Sequence, residues 1–505
     1  MNKILLFLSV LLFQLAGFSQ NITAKIVDAK TGENIPYANI LVSGTENLIT
    51  NEEGVFTVSD KNNDATSLAV SYLGYVGQLL TVGDLKKQQN TIKLQPGIFE
   101  LDNVAVSNVK PDANSIMAEV KKNLKKNYQG EGKPLKNTLF LREMGSFKPK
   151  KLEIEITKST GFSKSALKSA NADVASFTSK LLATPPLEFT DVLGDYYTGN
   201  VPGKEKPVYT TKLDVVKATK LKDESKAVSI DNLERMASNI FLKHLDTTKY
   251  YRIKSGWFGS RDTISLRKDF NKKKKKKQKK SELTSVKGSI ATFMAENKFH
   301  SGGKLDFVSE IELYEYTYEG AMYSNQNEFV YVLSFKPKKS KAKYTGKLYV
   351  SETDYAVVRA DYNLAKGKKL GGINLKLLLG IKASENVSKG TIIFKPRATG
   401  NGYYLQYAST ETGQYFYLNR PLKFIELTDD DKDVVAVDIK VEGDMTEKME
   451  FLNISQSEIS QNALESTKEE EFEYIRLKKY DPKIWKDYTA IEPLEEMKQF
   501  KVVEE

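Results

Sequence analysis

The chain has 505 residues, of which 40% are hydrophobic and 28% are charged, a balance typical of a globular protein with two or three domains. It contains no Cys, which excludes disulfides, thiolate-bound metal centres and a thiol nucleophile. Its net charge of +11 arises mostly from eight lysines within residues 272–280, without which it would be +3. The positive charge is therefore local and does not indicate a surface that binds nucleic acid.

Residues 1–20 have the pattern of a cleaved secretory signal peptide. Lys3 supplies the positive charge, residues 4–15 are apolar, and Gly17 and Ser19 are small residues near the expected cleavage site. The apolar segment is short for a membrane span, and no later segment reaches the required length. We therefore expect an exported protein without a transmembrane span in its mature chain, which makes nucleic acid an unexpected partner.

Residues 21–95 predict a small β-sandwich. Short segments with alternating or buried apolar residues are separated by turn signals about every ten residues, a spacing typical of all-β domains. Gly32 and Gly54 lie at turns that need a positive φ, and Phe56 and Tyr72 are large enough to fill a thin core. The predicted segments are residues 22–27, 36–42, 50–56, 67–73 and 90–94.

The same region carries the ordered motifs VDAKTGENIPYANI, TNEEGVF, SYLGY and NTIKLQP. In this order they resemble the carboxypeptidase regulatory-like domain, a module found in front of TonB-dependent receptors and in other Gram-negative envelope proteins. The resemblance implies a transthyretin-like or immunoglobulin-like sandwich with an accessory role. It also implies a location in the periplasm or at one face of the outer membrane, with an envelope protein or a lipid as partner.

The peptidase activity in that family's name is not expected here. A zinc carboxypeptidase needs a His-x-x-Glu motif and a distant third His, but the chain has only His244 and His300, and neither begins that motif. Neither His has a flanking motif of a Ser/His/Asp hydrolase, and residues 429–433 lack the spacing of a calcium loop. We therefore expect no catalytic residues, no metal and no cofactor.

Residues 96–135 predict a connector that contains an amphipathic helix from about residue 112 to 128. Asp112 is a suitable N-cap, and the apolar residues that follow recur at helical spacing. The helix, its ending KNY and the strand FLRE resemble a family of uncharacterised envelope proteins that combine this module with a β-rich domain. The apolar face consists of Ala113, Ile116, Met117, Val120 and Leu124.

Residues 136–505 predict a β-rich domain, with consecutive hairpins of period two from about 285 to 443. They indicate a large antiparallel, curved sheet with a few packed helices, one at about 231–245. Residues 163–200 are compatible with a helix followed by a loop. The hairpin GKLYVSETDYAVVRADY is similar to one in periplasmic lipoprotein carriers, which hold acyl chains in curved half-barrels. Aromatic and apolar residues at 485–491 predict a C-terminal tail docked onto this domain.

Two groups of residues are candidate contact sites. The lysine tract is either an extended, solvated loop or a contact for anionic groups such as lipid phosphates. The aromatic residues either line a ligand cavity or form ordinary sheet core. The tract consists of Lys272, Lys273, Lys274, Lys275, Lys276, Lys277, Lys279 and Lys280 in a loop at 271–280; the aromatic set includes Tyr314, Tyr316, Tyr331, Phe335 and Tyr403.

Two functions remain open from the sequence. The first is a non-enzymatic envelope protein for binding or assembly, whose β-rich domain holds an apolar or peptide ligand. The second is an envelope hydrolase with an unrecognised carboxylate site. A deep apolar cavity under the sheet would favour the first, whereas a cleft with paired carboxylates would favour the second.

Overall fold

The computed structural model of the protein describes residues 21–59, 61–97, 111–130, 132–159, 163–223, 250–255, 258–265, 281–323, 329–398, 402–427 and 432–502. The chain is mainly β and divides into two compact units. The first contains the N-terminal region to Phe99, the short stretch at 322–327 and residues 480–500; the second contains the remainder. Several predicted features lie outside the described residues, namely the signal peptide, the helix at 231–245 with His244, the lysine tract, and Asp429, Asp430 and Asp431.

The first unit is a β-sandwich of two small sheets. One sheet has the strand order β4-β1-β7, with β1 antiparallel to β4 and parallel to β7, and the other has the order β3-β2-β5-β6. The elements are β1 Ile22–Asp28, β2 Asn39–Val42, β3 Glu46–Ile49, β4 Val55–Val58, β5 Ser67–Ser71, β6 Gln78–Thr81, helix α1 Val82–Lys87 and β7 Thr91–Leu94.

The sandwich core consists of apolar side chains that alternate along these strands. Ile26, Phe56 and Leu68 have no accessible surface, because every second residue of each strand points between the sheets. Gly54 has a φ of 71°, and a Cβ there would lie 2.8 Å from the Cβ of Asn34, so this turn requires glycine.

The C-terminal segment, residues 480–500, belongs to this first unit. Trp485 and Ile491 are buried, as expected for a docked tail, but their segment packs on the sandwich and not on the β-rich domain as predicted. The sequence indicated a docked segment because of its apolar residues, which do not specify the surface that covers them.

Hydrogen bonds attach this segment to β4 and its flanking turns. Asn51 donates through Nδ2 to the carbonyl oxygen of Glu492 over 3.1 Å, and Thr57 donates through Oγ1 to the Glu492 carboxylate over 2.5 Å. Ser59 donates to the carbonyl oxygen of Lys486 over 2.9 Å. These contacts use side chains of the TNEEGVF turn and the strand after it, so the turn both shapes the sandwich and holds the segment.

The second unit contains a 14-stranded sheet among the described residues. Its main path has the strand order β13-β14-β15-β16-β18-β19-β20-β8-β9-β10-β21, while β11, β12 and β17 pair beside this path. The strand pairs of this sheet whose register is described are antiparallel except for β10 and β21, which are parallel. The strands are β8 Leu135–Ser159, β9 Leu187–Val201, β10 Val208–Lys222, β11 Tyr250–Ser255, β12 Phe258–Ser265, β13 Tyr314–Tyr323, β14 Phe329–Pro337, β15 Tyr344–Ser351, β16 Val357–Leu364, β17 Gly371–Leu375, β18 Ile381–Pro396, β19 Tyr403–Glu426, β20 Lys432–Glu458 and β21 Ile475–Leu477.

The helices of the second unit include one predicted helix and one that the sequence analysis missed. Asp112 caps the predicted helix, α2, by accepting hydrogen bonds from the backbone of Asn114 and Ser115. The prediction that hairpins begin at about residue 285 is wrong. Helix α4 occupies residues 282–296, and its buried residues recur at helical spacing. The helices are α2 Ala113–Tyr128, α3 Lys164–Ala183, α4 Glu282–Glu296, α5 Lys376–Leu379 and α6 Gln461–Ser466; α7 Glu495–Lys498 belongs to the first unit.

Helices α2 and α4 share one hydrophobic core with the sheet. The cluster joins these helices to strands from β13 at one end of the sheet to β10 near the other. Tyr128 of α2 hydrogen-bonds Val357 of β16, and the rings of Phe293 of α4 and Phe451 of β20 lie 5.8 Å apart. The predicted fold class, a sandwich followed by a large antiparallel-rich sheet with a few helices, is confirmed.

The long strands β8, β19 and β20 extend beyond this cluster into a second core. There Phe147 and Ile156 of β8 pack with Val437 of β20 against α3. The helix compatible with the sequence at 163–200 is therefore α3, and it covers the far ends of the long strands. None of the helices in the described ranges is both long enough and apolar enough to span a membrane.

Candidate ligand cavity

A cavity of about 670 Å³ lies in the second unit between the sheet and the ends of α2 and α4. Its walls come from the segment after α2, the last turn of α4, and strands β8, β9, β10, β18, β19 and β20. This volume is within the range of about 300–1,000 Å³ that is typical of small-molecule sites.

One wall of the cavity is apolar. Leu135, Met294, Phe394, Tyr403 and Leu405 line it, and the register of β18 and β19 pairs Phe394 with Leu405. The ring of Phe394 also lies 4.8 Å from that of Tyr128, which fixes this wall against α2. The wall can therefore bury an apolar group without rearranging its own core.

The cavity lining also carries a network of amide side chains. Asn137 accepts through Oδ1 from Asn453 Nδ2 over 3.0 Å and from Gln456 Nε2 over 2.8 Å. Asn453 is 1% exposed, and its Oδ1 has no hydrogen-bonding partner among the described residues. The register between β20 and β8 shifts next to Asn453, as at a β-bulge, a feature that redirects side chains near functional sites. The network leaves one buried polar atom for a bound group or water to satisfy.

The cavity lining carries more positive than negative charge. Its basic residues are Lys133, Lys298 and Arg397. Its acidic residue is Glu458, which forms an ion pair with Lys133 over 3.4 Å. Lys298 remains accessible within the cavity mouth, yet the surrounding protein lowers its pKa by desolvation, and the nearby Arg397 charge lowers it further.

Arg397 is positioned by the amide network. It donates through Nη1 to Oε1 of Gln456 over 3.3 Å, so the guanidinium is linked to Asn137 through one side chain. Lys298 has no ion-pair partner within the part of the chain that the structure describes. Lys298 and Arg397 place two positive charges close together at the cavity, which favours a ligand that carries a negative charge.

A second cleft, of about 520 Å³, contains several carboxylates. Glu143, Glu188, Glu385 and Glu447 line it together with Lys304. Desolvation raises the pKa of Glu143, and the Glu447 charge raises it further. A carboxyl group with a raised pKa beside a second carboxylate is an arrangement that can serve general acid catalysis. No group of three or more His, Asp or Glu side chains that could hold a metal ion occurs in the described ranges.

Most of the aromatic residues proposed from sequence as cavity lining lie in the sheet core instead. Tyr314, Tyr316 and Phe335 are buried around Phe307, whose ring stacks on that of Phe335 with centroids 4.6 Å apart. Tyr331 is half-buried and donates a hydrogen bond to Glu352 over 3.2 Å.

Within the predicted aromatic set, Tyr403 lines the 670 Å³ cavity. His300 is exposed and contacts the carbonyl oxygen of Ser301, consistent with a turn. The lysine tract lies outside the described residues, so its predicted membrane contact stays a prediction. Sequence reasoning missed the polar residues of the cavity because they are scattered from residue 133 to 458 and form no local motif.

The comparison with protein families identifies the N-terminal part of the chain. Residues 22–106 match the family described as the CarboxypepD_reg-like domain. The resemblance stated from the sequence motifs is thereby confirmed for this part of the chain.

No curated protein matches the chain. A crystal structure of a DUF1329 family protein from Desulfovibrio piger is 11% identical, with 71% of this chain and 98% of that chain covered. Its TM-score of 0.18 is too low to carry an argument about fold or function.

Proposed function

We propose that this protein is an exported, non-enzymatic binding protein of the cell envelope that holds an amphipathic anion in its β-rich unit. The observation that carries this proposal is the 670 Å³ cavity, which combines an apolar wall with Lys298, Arg397 and the unsatisfied Asn453 Oδ1. The CarboxypepD_reg-like domain supports the proposal as an accessory module, and the predicted signal peptide supports export.

The two sides of the cavity would contribute different terms to binding. An apolar tail against the wall gains about 25 cal/mol for each Å² of apolar surface removed from water. A carboxylate or phosphate at the other end can accept charge-assisted hydrogen bonds from Arg397, whose planar donors suit two acceptor oxygens. Lys298 adds a second positive charge. The apolar term would set affinity, and the cationic end would set the ligand's orientation and sign of charge.

A cavity-filling substitution tests this assignment. Ala291 lines the cavity on α4, so A291W should occupy the space that the ligand needs. We expect displacement of a fluorescent anionic fatty-acid analogue to show an affinity at least about tenfold weaker, a loss of about 1.4 kcal/mol. The matched control is A172W, an exposed helical alanine of α3, which should bind as the wild type does. Full binding by A291W would contradict the assignment.

The hydrolase hypothesis is supported by one observation, the raised pKa of Glu143 in the second cleft. It makes a separable prediction: E143Q would slow hydrolysis of a glycoside or ester substrate by about a hundredfold or more, while A291W would leave it unchanged. A pH–rate profile with one limb removed in E143Q would favour this function over binding. Absence of turnover over a panel of such substrates would remove it.

Membrane contact through the lysine tract is also part of the proposal. Each lysine near an anionic surface contributes about 1 kcal/mol, so residues 272–280 could hold the protein peripherally. Deleting residues 271–280 should weaken binding to anionic vesicles at low salt and should have little effect at high salt. Unchanged vesicle binding at low salt would contradict this role.

A further inference from the structure

The hairpin formed by β17 and the start of β18 ends in an exposed apolar tip. At this tip Leu377 is 101% exposed and Leu378 is 82% exposed, and Ile373 and Leu375 on β17 are 52% and 37% exposed. Isolated exposed apolar residues are ordinary, but these four lie within the six residues from Ile373 to Leu378 and make an exposed apolar patch. Such a patch usually marks a contact surface.

The tip is an ordered part of the sheet. β17 pairs with β18 in a continuous antiparallel register from Gly371 opposite Glu385 to Leu375 opposite Ile381. The turn is the single helical turn α5, which ends at Gly380 with a φ of 65°, and a Cβ there would overlap the carbonyl oxygen of Asn419. The backbone N–H of Asn419 donates to the Gly380 carbonyl over 2.8 Å. The leucines are therefore presented by a specified turn.

Two lysines flank the exposed leucines of this tip. Lys376 lies over the ring of Tyr417, with Nζ 4.2 Å from the centroid, and Lys382 lies over the ring of Tyr415 at 5.2 Å. Residues 371–384, which span the tip and both paired strand segments, contain no Asp or Glu.

We propose that this hairpin tip inserts into the interfacial region of an anionic lipid bilayer. Leu377 and Leu378 would lie below the headgroups, and Lys376 and Lys382 would contact lipid phosphates. The inference is independent of the ligand cavity and of the lysine tract at 272–280, because it uses neither set of residues.

Charge and shape both favour a bilayer over a protein partner. A stable protein interface buries about 1,000 Å² or more and matches the shape of its partner. This hairpin instead presents a few exposed apolar side chains on one short turn. Lysines around exposed leucines are the pattern of peripheral membrane-binding segments, in which apolar burial and attraction to anionic lipid act together. A bilayer accepts such a tip without a preformed pocket.

A single-cysteine probe tests insertion directly, because the chain contains no Cys. L377C and the control L79C, at a β6 leucine that is 79% exposed, are each labelled with a polarity-sensitive fluorophore in the full chain. With phosphatidylglycerol vesicles we expect a blue shift and a rise in intensity at position 377 and little change at position 79. Phosphatidylcholine vesicles should give a smaller response at 377.

Substitution gives the second readout. L377N/L378N should reduce partition onto phosphatidylglycerol vesicles by about tenfold or more, whereas L79N should bind as the wild type does. Both variants change exposed side chains, so their thermal unfolding should match that of the wild type.

Three results would overturn the proposal. The first is no fluorescence change at position 377 when vesicles are added, and the second is an equal change at the control position 79. The third is undiminished partition of L377N/L378N onto the vesicles. A change at 377 that grows with protein concentration without vesicles would assign the tip to a second copy of the chain instead. Loss of vesicle binding with retained displacement of the fatty-acid analogue would separate this site from the cavity.

Discussion

The two units of the protein bury apolar side chains in different ways. In the sandwich, strands of four to seven residues close a small core, and Ile26 and Phe56 have no accessible surface. In the β-rich unit, β8, β19 and β20 have 24 to 27 residues, pass through two cores, and line a cavity of about 670 Å³. The β-rich unit therefore contains a cavity of ligand size within the part of the chain that the structure describes. This contrast supports the proposal that the β-rich unit binds a ligand and that the sandwich has an accessory role.

The largest expected effect tests whether the β-rich unit depends on a buried ion pair. Arg142 and Asp191 form two hydrogen bonds of 2.8 Å across β8 and β9, and both side chains are almost fully buried. R142A leaves Asp191 buried without this partner, so we expect a loss of about 3–5 kcal/mol in the free energy of unfolding, measured by urea denaturation.

The matched control for that pair is on the surface. Lys150 contacts Asp444 over 2.6 Å with both side chains substantially exposed, so K150A should cost about 1 kcal/mol or less. Equal losses in R142A and K150A would contradict the view that burial makes the first pair important.

The next largest effect concerns the sandwich and its C-terminal segment. Ile491 has no accessible surface, so I491A should destabilise the first unit by about 2–5 kcal/mol. Hydrogen exchange measured by mass spectrometry should show faster exchange in residues 46–59, which hold the segment. The exposed Ile475 of β21 gives the control I475A, with little expected change. Unchanged protection of residues 46–59 in I491A would show that the segment is not part of the sandwich's stability.

A smaller effect tests the cationic end of the cavity. K298Q should weaken binding of an anionic ligand by about tenfold, or about 1.4 kcal/mol. Because desolvation and Arg397 lower the pKa of Lys298, the wild type should lose anion affinity as pH rises through a value below the ordinary 10.5. The affinity should be constant at lower pH, where Lys298 is charged. K298Q should lack this decline, and an identical pH profile in both proteins would remove Lys298 from the site.

The smallest effect is local to the sandwich. Desolvation, together with the hydrogen bond to Asp28 over 2.8 Å, raises the pKa of Tyr75 to about 12. In D28N the Tyr75 hydroxyl should ionise at lower pH, as followed by ultraviolet absorbance.

Asp28 itself has a pKa below its ordinary value of 3.8, chiefly because the backbone of Thr31 donates a hydrogen bond to it. Its contribution to stability is therefore present above that ordinary value and is lost as pH falls through the lowered one. An unchanged Tyr75 titration in D28N would contradict the coupling of these two side chains.

The sequence predicted features that depend on neighbouring residues. The TNEEGVF turn, the N-cap Asp112 and the apolar face of α2 are local, and the structure has them as expected. The helix α4 was missed because it has only four buried residues and most of it lies within the interval 285–443, whose later strands have period two. Strands β9 and β10 were missed because polar residues interrupt the alternation of apolar and polar side chains along them.

The cavity could not be predicted because its residues meet only through tertiary structure. Asn137 and Asn453 are 316 residues apart in the chain and are brought together by the pairing of β8 with β20. Lys298 and Arg397 come from the end of a helix and the end of a strand. The sequence left the aromatic residues open between cavity lining and sheet core, because their burial around Phe307 arises from tertiary contacts that local spacing does not specify.

The most direct test of the central claim is isothermal titration calorimetry with a long-chain fatty acid and the alcohol of equal chain length. The two ligands share the apolar tail, so the difference in affinity reports the cationic end alone. We predict that the wild type binds the acid at least about tenfold more tightly than the alcohol, and that A291W binds neither. Equal affinities for acid and alcohol, or full binding by A291W, would contradict the proposal that this cavity holds an amphipathic anion.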